Sequence, residues 1–271
     1  MTIGFIGAGT MAGAIVRGIT ASGTVAAGDV FLHDVHADTA QRLADDVGAK
    51  VASSPEALVR DSDVVVLAVK PQVLPAVLDE LAGAITERRP VLVSIAAGIS
   101  IAAIESRLPG GDVPVVRVMP NVNAQIGAGM AAVCGNRAAS ADDVARVLEI
   151  FRAVGEAVEL AEKDFATYTA IAGSSPAFVY TFIDALARGA VQGGMPKALA
   201  TRIAAQAVLG SARMVLERAD DGVSPADLVD MVCSPGGTTI AGIVAMEEAG
   251  FSPAVVRGVQ AVVARDRELA G

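Results

Sequence analysis

Two glycine-rich stretches carry the residues best suited to chemistry. Near the start, Gly7-Ala8-Gly9-Thr10-Met11-Ala12 has the spacing G-x-G-x-x-G/A. An apolar run, residues 3–6, precedes it, and apolar residues at helical spacing follow over 10–19. Strand, glycine turn and helix in that order make a dinucleotide site. Gly7 permits the tight turn, Gly9 lets backbone N–H groups approach a pyrophosphate, and Ala12 keeps helix and strand close. Ile6, Gly7, Ala8, Gly9, Thr10 and Met11 are the expected cofactor residues on the phosphate side. A second strand, 30–32, leads to Asp34, the place of the residue that accepts hydrogen bonds from the adenosine ribose. A carboxylate there repels a 2′-phosphate, and no Arg or Lys follows before Arg42, so the sequence points to NADH over NADPH. Protonated His33 and His36 would act the other way. An Asp that only caps the next turn is the alternative.

The second stretch, Ser234-Pro235-Gly236-Gly237-Thr238-Thr239, is a polar glycine loop between two helical segments. Successive N–H groups where such a loop enters a helix form a nest for a carboxylate, and Thr238 or Thr239 adds a hydroxyl. A plain N-cap and turn is the alternative. Three further stretches stand at the carboxyl ends of expected strands, where open α/β sheets bind ligands: Ala68-Val69-Lys70-Pro71, Ser94-Ile95-Ala96-Ala97-Gly98 and Met119-Pro120-Asn121. Ala96 and Ala97 are small enough for a flat nicotinamide ring to lie against backbone. No metal ligand set or nucleophile is expected: the two histidines share one loop, GxSxG is absent, and neither Cys has a histidine nearby in sequence. Hydride transfer needs neither, because the cofactor carries the reaction and the protein orients it.

The elements that must hold these residues alternate. Strands are expected at 3–6, 30–32, 50–52, 64–69, 90–94, 113–118, 129–133 and 157–160, with helices at 10–19, 37–46, 55–61, 73–85, 100–107 and 141–154. The run Val64-Val65-Val66-Leu67-Ala68-Val69 does not alternate, as befits a parallel strand covered on both faces. Repeated βα units imply a parallel sheet. After Ala161 strand signals stop, and helical spacing governs 165–189, 197–218, 225–231, 239–248 and 253–269. The sequence predicts an α/β protein: a Rossmann-type parallel-sheet domain over 1–160, then an all-helical domain over 161–271.

Composition narrows the class. With 53% hydrophobic and 19% charged residues the chain is not of the disordered kind, and a net charge of −9 lacks the basic surplus of a nucleic-acid binder. Cys134 and Cys233 have neither CxxC spacing nor the density of a secreted scaffold, which predicts reduced thiols and a cytoplasmic setting. No basic n-region marks a signal peptide. Mean hydropathy of +0.53 draws attention to the uncharged run 165–183, long enough for a membrane. Gly173-Ser174-Ser175-Pro176 interrupts it and no positive flank distinguishes two sides, so a helix buried between subunits or domains is expected instead.

Seven separated motifs resemble the pyrroline-5-carboxylate reductases over essentially the whole chain: FIGAGTMAGAIVRGI from Phe5, LAVKPQ from Leu67, SIAAGIS from Ser94, RVMPN from Arg117, IAGSSPAFVY from Ile171, AAQAVLGSA from Ala204 and SPGGTTIAG from Ser234. The last is the most specific. The resemblance implies NADH- or NADPH-dependent reduction of the C=N bond of Δ1-pyrroline-5-carboxylate to L-proline, the last step of proline biosynthesis. It also implies a helical domain that interlocks with a partner's in a homodimer, with rings of dimers known in the family. By the same resemblance, the substrate carboxylate binds the Gly237–Thr239 backbone within the Ser234–Thr239 loop. The Thr239 hydroxyl, the implied catalytic group, bonds the ring nitrogen, and Glu162 lies at a substrate-pocket position. Asn121 closes the RVMPN motif and joins Ala68, Val69, Lys70, Pro71, Ala96 and Ala97 as an expected cofactor residue.

The chain departs from the family pattern in three places. Val122-Asn123 follows Asn121 where MPNTP is common, and Ser175 and Phe178 stand in a GSGPAY-like stretch. Asp34-Val35 replaces the frequent Asn or Ser followed by Arg, removing the expected 2′-phosphate partner. Three competing readings are a reductase of another cyclic imino acid, a β-hydroxyacid dehydrogenase and a non-catalytic nucleotide sensor. The dehydrogenase needs a motif lysine that neither Lys163 nor Lys197 supplies, and the SPGGTT loop speaks against the sensor.

Overall fold

The computed structural model describes residues 1–110 and 112–270. It divides into two compact bodies, Met1–Ser174 with the chain from Val262 onward, and Ser175–Ala261.

The first body alternates strands and helices: β1 (Ile3–Ile6), α1 (Thr10–Ala21), β2 (Val30–His33), α2 (Ala37–Val47), β3 (Lys50–Val51), α3 (Pro55–Asp61), β4 (Val64–Leu67), α4 (Leu74–Arg88), β5 (Val91–Ser94), α5 (Ile101–Glu105), β6 (Val115–Pro120), β7 (Gly129–Gly135), α6 (Ala141–Arg152), β8 (Gly155–Glu159) and α7 (Phe165–Tyr168). Local signals set the boundaries. Gly48, at φ 80°, ends α2. Ser54 accepts from the Ala57 N–H with Pro55 in the first turn of α3. Ser140 and Asp143 form a capping box on α6.

The strands form one sheet in the order β3-β2-β1-β4-β5-β6-β7-β8. β1, β4 and β5 are buried along their whole length, the burial expected of continuous apolar strands in a parallel sheet. Alternate residues feed two cores. Val64 and Val66 pack with Ile15, Ile19, Leu43 and Phe151 on one face, while Val65 and Leu67 pack with Leu58, Leu78, Leu81 and Ile104 on the other. Pairing is parallel except between β6 and β7, which run antiparallel. The uniformly parallel sheet expected from the βα repeats fails there because only a 3-10 turn, Val122–Ile126, joins the two strands, too short for a crossover. β4 also stops at Leu67, short of the expected residue 69, which leaves Ala68–Pro71 as a loop beyond the carboxyl edge of the sheet.

The second body is helical: α8 (Ser175–Gln192), α9 (Lys197–Arg218), α10 (Pro225–Val232), α11 (Thr238–Glu248) and the first half of α12 (Phe251–Ala270). The helix expected over 165–189 is interrupted by a π-helical stretch, Thr169–Ser174, at the Gly-Ser-Ser-Pro cluster. In α8 and α9 only Pro176, Ala187, Ala200 and Ala204 are buried, and α10 and α11 bury nothing. Leu199, Ile203, Leu209, Leu216 and Met231 are at least half exposed or nearly so. The helical run Glu162–Gln192 is long and apolar enough to cross a membrane, with only 17% of its apolar window buried. Apolar surface on this scale is an interaction face.

Candidate active site

The glycine turn lies where the strand order reverses between β1 and β4, the place at which open α/β sheets bind ligands. Gly7 has φ +99°, and a Cβ on it would stand 2.6 Å from the Ala68 carbonyl oxygen. Its N–H donates to the His33 carbonyl at 2.8 Å, and the Ala68 N–H donates to the Ile6 carbonyl at 2.8 Å. The turn is thus clamped between the ends of β2 and β4. Gly9 differs. It is the N-cap of α1 in extended conformation (φ −71°, ψ −170°), no side chain caps the helix, and a Cβ on it would meet nothing within 4 Å. The first-turn N–H groups, Thr10 and Met11 among them, therefore surround open space at the positive end of a helix with no acidic residue in its first turn. That cradle fits a pyrophosphate.

Asp34 caps the turn after β2 and also reaches the glycine turn. Its Oδ2 accepts from the Ala8 N–H at 2.8 Å, tying β2 to the glycine turn, and its Oδ1 accepts from the His36 N–H at 2.9 Å, capping the following turn. Each oxygen keeps a lone pair for a hydroxyl donor. From Ala8, Gly9 and Thr10 a groove of about 880 Å³ runs between α1 and α2, past Arg17, Thr39 and Arg42. Arg17 is paired with Asp46 at 2.7 Å, whereas Arg42 reaches only the Thr39 hydroxyl at 3.4 Å.

The other strand ends are small or occupied. The Lys70 carbonyl accepts from the Val73 and Leu74 N–H groups, so Lys70-Pro71 forms the turn into α4. Ala96 is buried and its N–H reaches the Ser94 hydroxyl at 3.4 Å, while Ala97 is exposed. The Asn121 amide donates to the Ala172 carbonyl at 2.9 Å and accepts from the Met130 N–H at 3.1 Å. Its side chain is committed to holding these segments together, and its carbonyl accepts from the Ala124 N–H at 3.2 Å.

Glu162 lies in the first body, in a 3-10 turn just after β8. Its Oε1 accepts from the Ile101 N–H at 2.8 Å and from the Arg117 Nη1 at 2.9 Å. Arg117, with 9% of its side chain exposed, also stacks over Phe165 at 4.6 Å from the ring centroid. Sequence reasoning missed Arg117, although a charge inside the apolar run Val115-Val116-Arg117-Val118 is the signal that marks it. Burial, reinforced by the Glu162 carboxylate, pushes the neighbouring Cys134 thiol up, away from the thiolate a nucleophile needs.

The Ser234–Thr239 loop lies in the second body. Gly236 takes φ +69°, and the Gly237 N–H closes a turn on the Ser234 carbonyl at 3.0 Å. The left-handed φ of Gly236 favours glycine, whereas a Cβ on Gly237 would approach the Ser234 carbonyl oxygen to 3.0 Å and displace the rotatable Ser234 hydroxyl. Gly237 is the N-cap of the eleven-residue α11, again without a side-chain cap, and Thr238 and Thr239 form the first turn. Thr239 also borders an opening of about 660 Å³ lined by Gln206, Met214, Leu228 and Cys233. The α1 and α11 N-termini are thus both capped by an extended glycine with no side-chain cap, and each is suited to an anion.

Comparison with known proteins agrees with both halves. Residues 162–269 match the family described as pyrroline-5-carboxylate reductase dimerisation, and residues 2–98 match NADP oxidoreductase, coenzyme F420-dependent. Pyrroline-5-carboxylate reductase of Escherichia coli (strain K12) is 42% identical over 98% of this chain and 97% of its own length. The structure of a pyrroline-5-carboxylate reductase from Coxiella burnetii superposes with a TM-score of 0.93 at 32% identity, covering 100% of this chain and 98% of that one. A Plasmodium falciparum pyrroline carboxylate reductase, solved with NADP bound, gives 0.88 at 29% identity over 100% and 98%. With full-length identity of this order and the glycine turn and SPGGTT loop both formed, the chain belongs to the pyrroline-5-carboxylate reductase family.

Proposed function

We propose that this chain reduces Δ1-pyrroline-5-carboxylate to L-proline with a nicotinamide cofactor. The observation that carries this reading is the glycine-capped N-terminus of α11, where the Thr238 and Thr239 N–H groups of the first turn present themselves to a carboxylate with no acidic residue competing there. Ser234 shapes that loop by accepting from Gly237, and the Thr239 hydroxyl holds the ring nitrogen. Glu162 completes the substrate side.

Ile6, Gly7, Ala8, Gly9, Thr10 and Met11 hold the pyrophosphate, Asp34 the adenosine ribose, and Ala68, Val69, Lys70, Pro71, Ala96, Ala97 and Asn121 the nicotinamide side. When bound, the cofactor supplies a hydride to the imine carbon. The protein needs no dedicated base, because a protonated imine is already electrophilic and orientation of the two reactants supplies most of the acceleration. The electron pair of the C=N bond ends on the nitrogen, against which Thr239 is placed.

Asp34 favours NADH. Its charge stands where a 2′-phosphate would fall, and Val35 offers no counter-ion. Residues 1–160 form the cofactor domain and 161–271 the substrate and dimerisation domain. The exposed apolar faces of α8 and α9 are covered by a second copy in an interlocked homodimer, on which rings of dimers can be built. The two cysteines, neither in a disulfide, fit the cytoplasm.

Oxidation of NADH and of NADPH by the purified protein with pyrroline-5-carboxylate, at equal cofactor concentrations, tests the proposal. Turnover with NADH preferred is expected. NADPH preference overturns the Asp34 reading alone, and absence of turnover with either cofactor overturns the substrate assignment.

A further inference from the structure

A buried guanidinium beside the nicotinamide-side loop, that of Arg117, is not used by the chemistry above. Arg117 projects from the middle of β6, is almost wholly enclosed, and has one carboxylate partner, Glu162, at 2.9 Å. The same Glu162 oxygen takes the Ile101 N–H at 2.8 Å. Ile101 opens α5 and ends the loop Ile95–Ser100, whose Ala96 and Ala97 are the small residues against which a flat ring would lie. Ser100 caps α5 from its own end by accepting from the Ala103 N–H at 3.1 Å. The loop is therefore held at its start by β5 and at its end by a carboxylate that is itself held by Arg117. The Glu162 side chain is 32% exposed, so loss of the enclosed Arg117 removes its charged partner while leaving it a path to solvent and away from Ile101.

We infer that Arg117 is a positioning residue for hydride transfer: through Glu162 and the Ile101 N–H it fixes the 95–100 loop as the support for the nicotinamide end of the cofactor. Arg117 touches neither substrate nor cofactor in this scheme. The face of the Phe165 ring, 4.6 Å from the guanidinium carbon, fixes the plane of the fork so that Nη1 meets Glu162. The inference rests on the cofactor reading of the preceding section.

The test separates the two ends of the dinucleotide. Dissociation constants for NADH and for ADP-ribose, which lacks nicotinamide, are measured on the wild-type protein, Arg117→Met, Arg117→Lys and Glu162→Gln, together with amide exchange over residues 95–103. Arg117→Met is expected to weaken NADH by about tenfold or more, the scale of lost positioning, while ADP-ribose binds as before and the Ile101 amide loses protection. Arg117→Lys, which keeps the charge but not the fork, recovers part of the NADH affinity, and Glu162→Gln, which keeps an acceptor oxygen, retains part of the Ile101 protection. Equal weakening of both ligands, or of neither, overturns the inference. A wild-type protein that binds neither ligand overturns the cofactor reading instead. Should Arg117→Met fail to fold, Arg117→Lys and Glu162→Gln carry the same comparison.

Discussion

The two glycines of the first turn should fail in opposite ways. Gly7→Ala puts a methyl group 2.6 Å from the Ala68 carbonyl oxygen and 2.8 Å from its carbon, at a backbone φ of +99°. The conformation costs a non-glycine residue about 1–3 kcal/mol. The overlap is with backbone at the end of β4, so relieving it shifts a main-chain segment, at about 1–3 kcal/mol more. The sum, about 2–6 kcal/mol, corresponds to a melting temperature lower by about 4–24 °C for a domain of this size. Gly9→Ala meets no atom within 4 Å and has an ordinary φ of −71°. Its poorer N-cap and its reduced unfolded-state entropy offset each other, so stability changes by less than about 0.5 kcal/mol. The new methyl group instead enters the open space at the α1 N-terminus. Displacing a phosphate oxygen from one charge-assisted N–H bond costs about 1.5–3 kcal/mol, or about ten- to a hundredfold in the NADH dissociation constant. Thermal unfolding and fluorescence titration with NADH, on both variants at one protein concentration, read the two effects. A Gly9→Ala protein that binds NADH like the wild type, or a Gly7→Ala protein with an unchanged melting temperature, refutes the separation of a structural glycine from a binding one.

Asp34→Asn should raise the NADPH-to-NADH ratio of kcat/KM by about tenfold through loss of like-charge repulsion. It should also lower stability by about 1 kcal/mol, because the amide NH2 must face either the Ala8 or the His36 donor. An unchanged ratio would detach Asp34 from cofactor choice. Thr239→Val should lower kcat/KM for the imino acid by about tenfold with cofactor affinity intact, and unchanged turnover would remove the hydroxyl from the mechanism. Hydrogen bonding from the Thr2 backbone, with Arg88 beside it, holds the Asp63 carboxyl below its ordinary value of 3.8. A depressed folded-state pKa means stability that is present above pH 3.8 and lost as pH falls through the folded value. Because the pair is solvent-screened, with Asp63 46% exposed, the loss is at most about 1 kcal/mol. Urea midpoints from pH 6 to about pH 2 should therefore fall less steeply in Asp63→Asn than in the wild type. Sedimentation at micromolar protein should show a dimer or larger, and a monomer alone would sink the reading of the apolar helices.

The parts of the first body visible in the sequence are those governed by local chemistry. Ser54-Pro55 announces α3, which is found there, and the apolar run 64–69 announces a strand covered on both faces, which is found over Val64–Leu67, two residues shorter. The reversal at β7 was not visible, because direction depends on what connects two strands. The segment between Pro120 and Gly129, with its Val-Asn-Ala-Gln-Ile content, carries no helical period that would distinguish a turn from a short crossover. The strain on Gly7 was legible in the glycine turn, since a positive φ beside backbone is a demand on the absence of a side chain, and the open space at Gly9 is what the proposed pyrophosphate role needs.

What stayed hidden is held by contacts distant in sequence. Arg117 and Glu162 are 45 positions apart, and Glu162 and Ile101 are 61 apart, so no spacing rule connects them. Asp34 shows the same limit in a milder form. Capping and ribose binding look like rival explanations in the sequence because a residue is assigned one role at a time. In the folded chain the carboxylate has two oxygens, one on the His36 N–H and one on the Ala8 N–H, and the second bond carries it to the cofactor turn. Capping is therefore compatible with the ribose role proposed for Asp34, because the oxygen that caps the turn leaves the other one on the glycine turn.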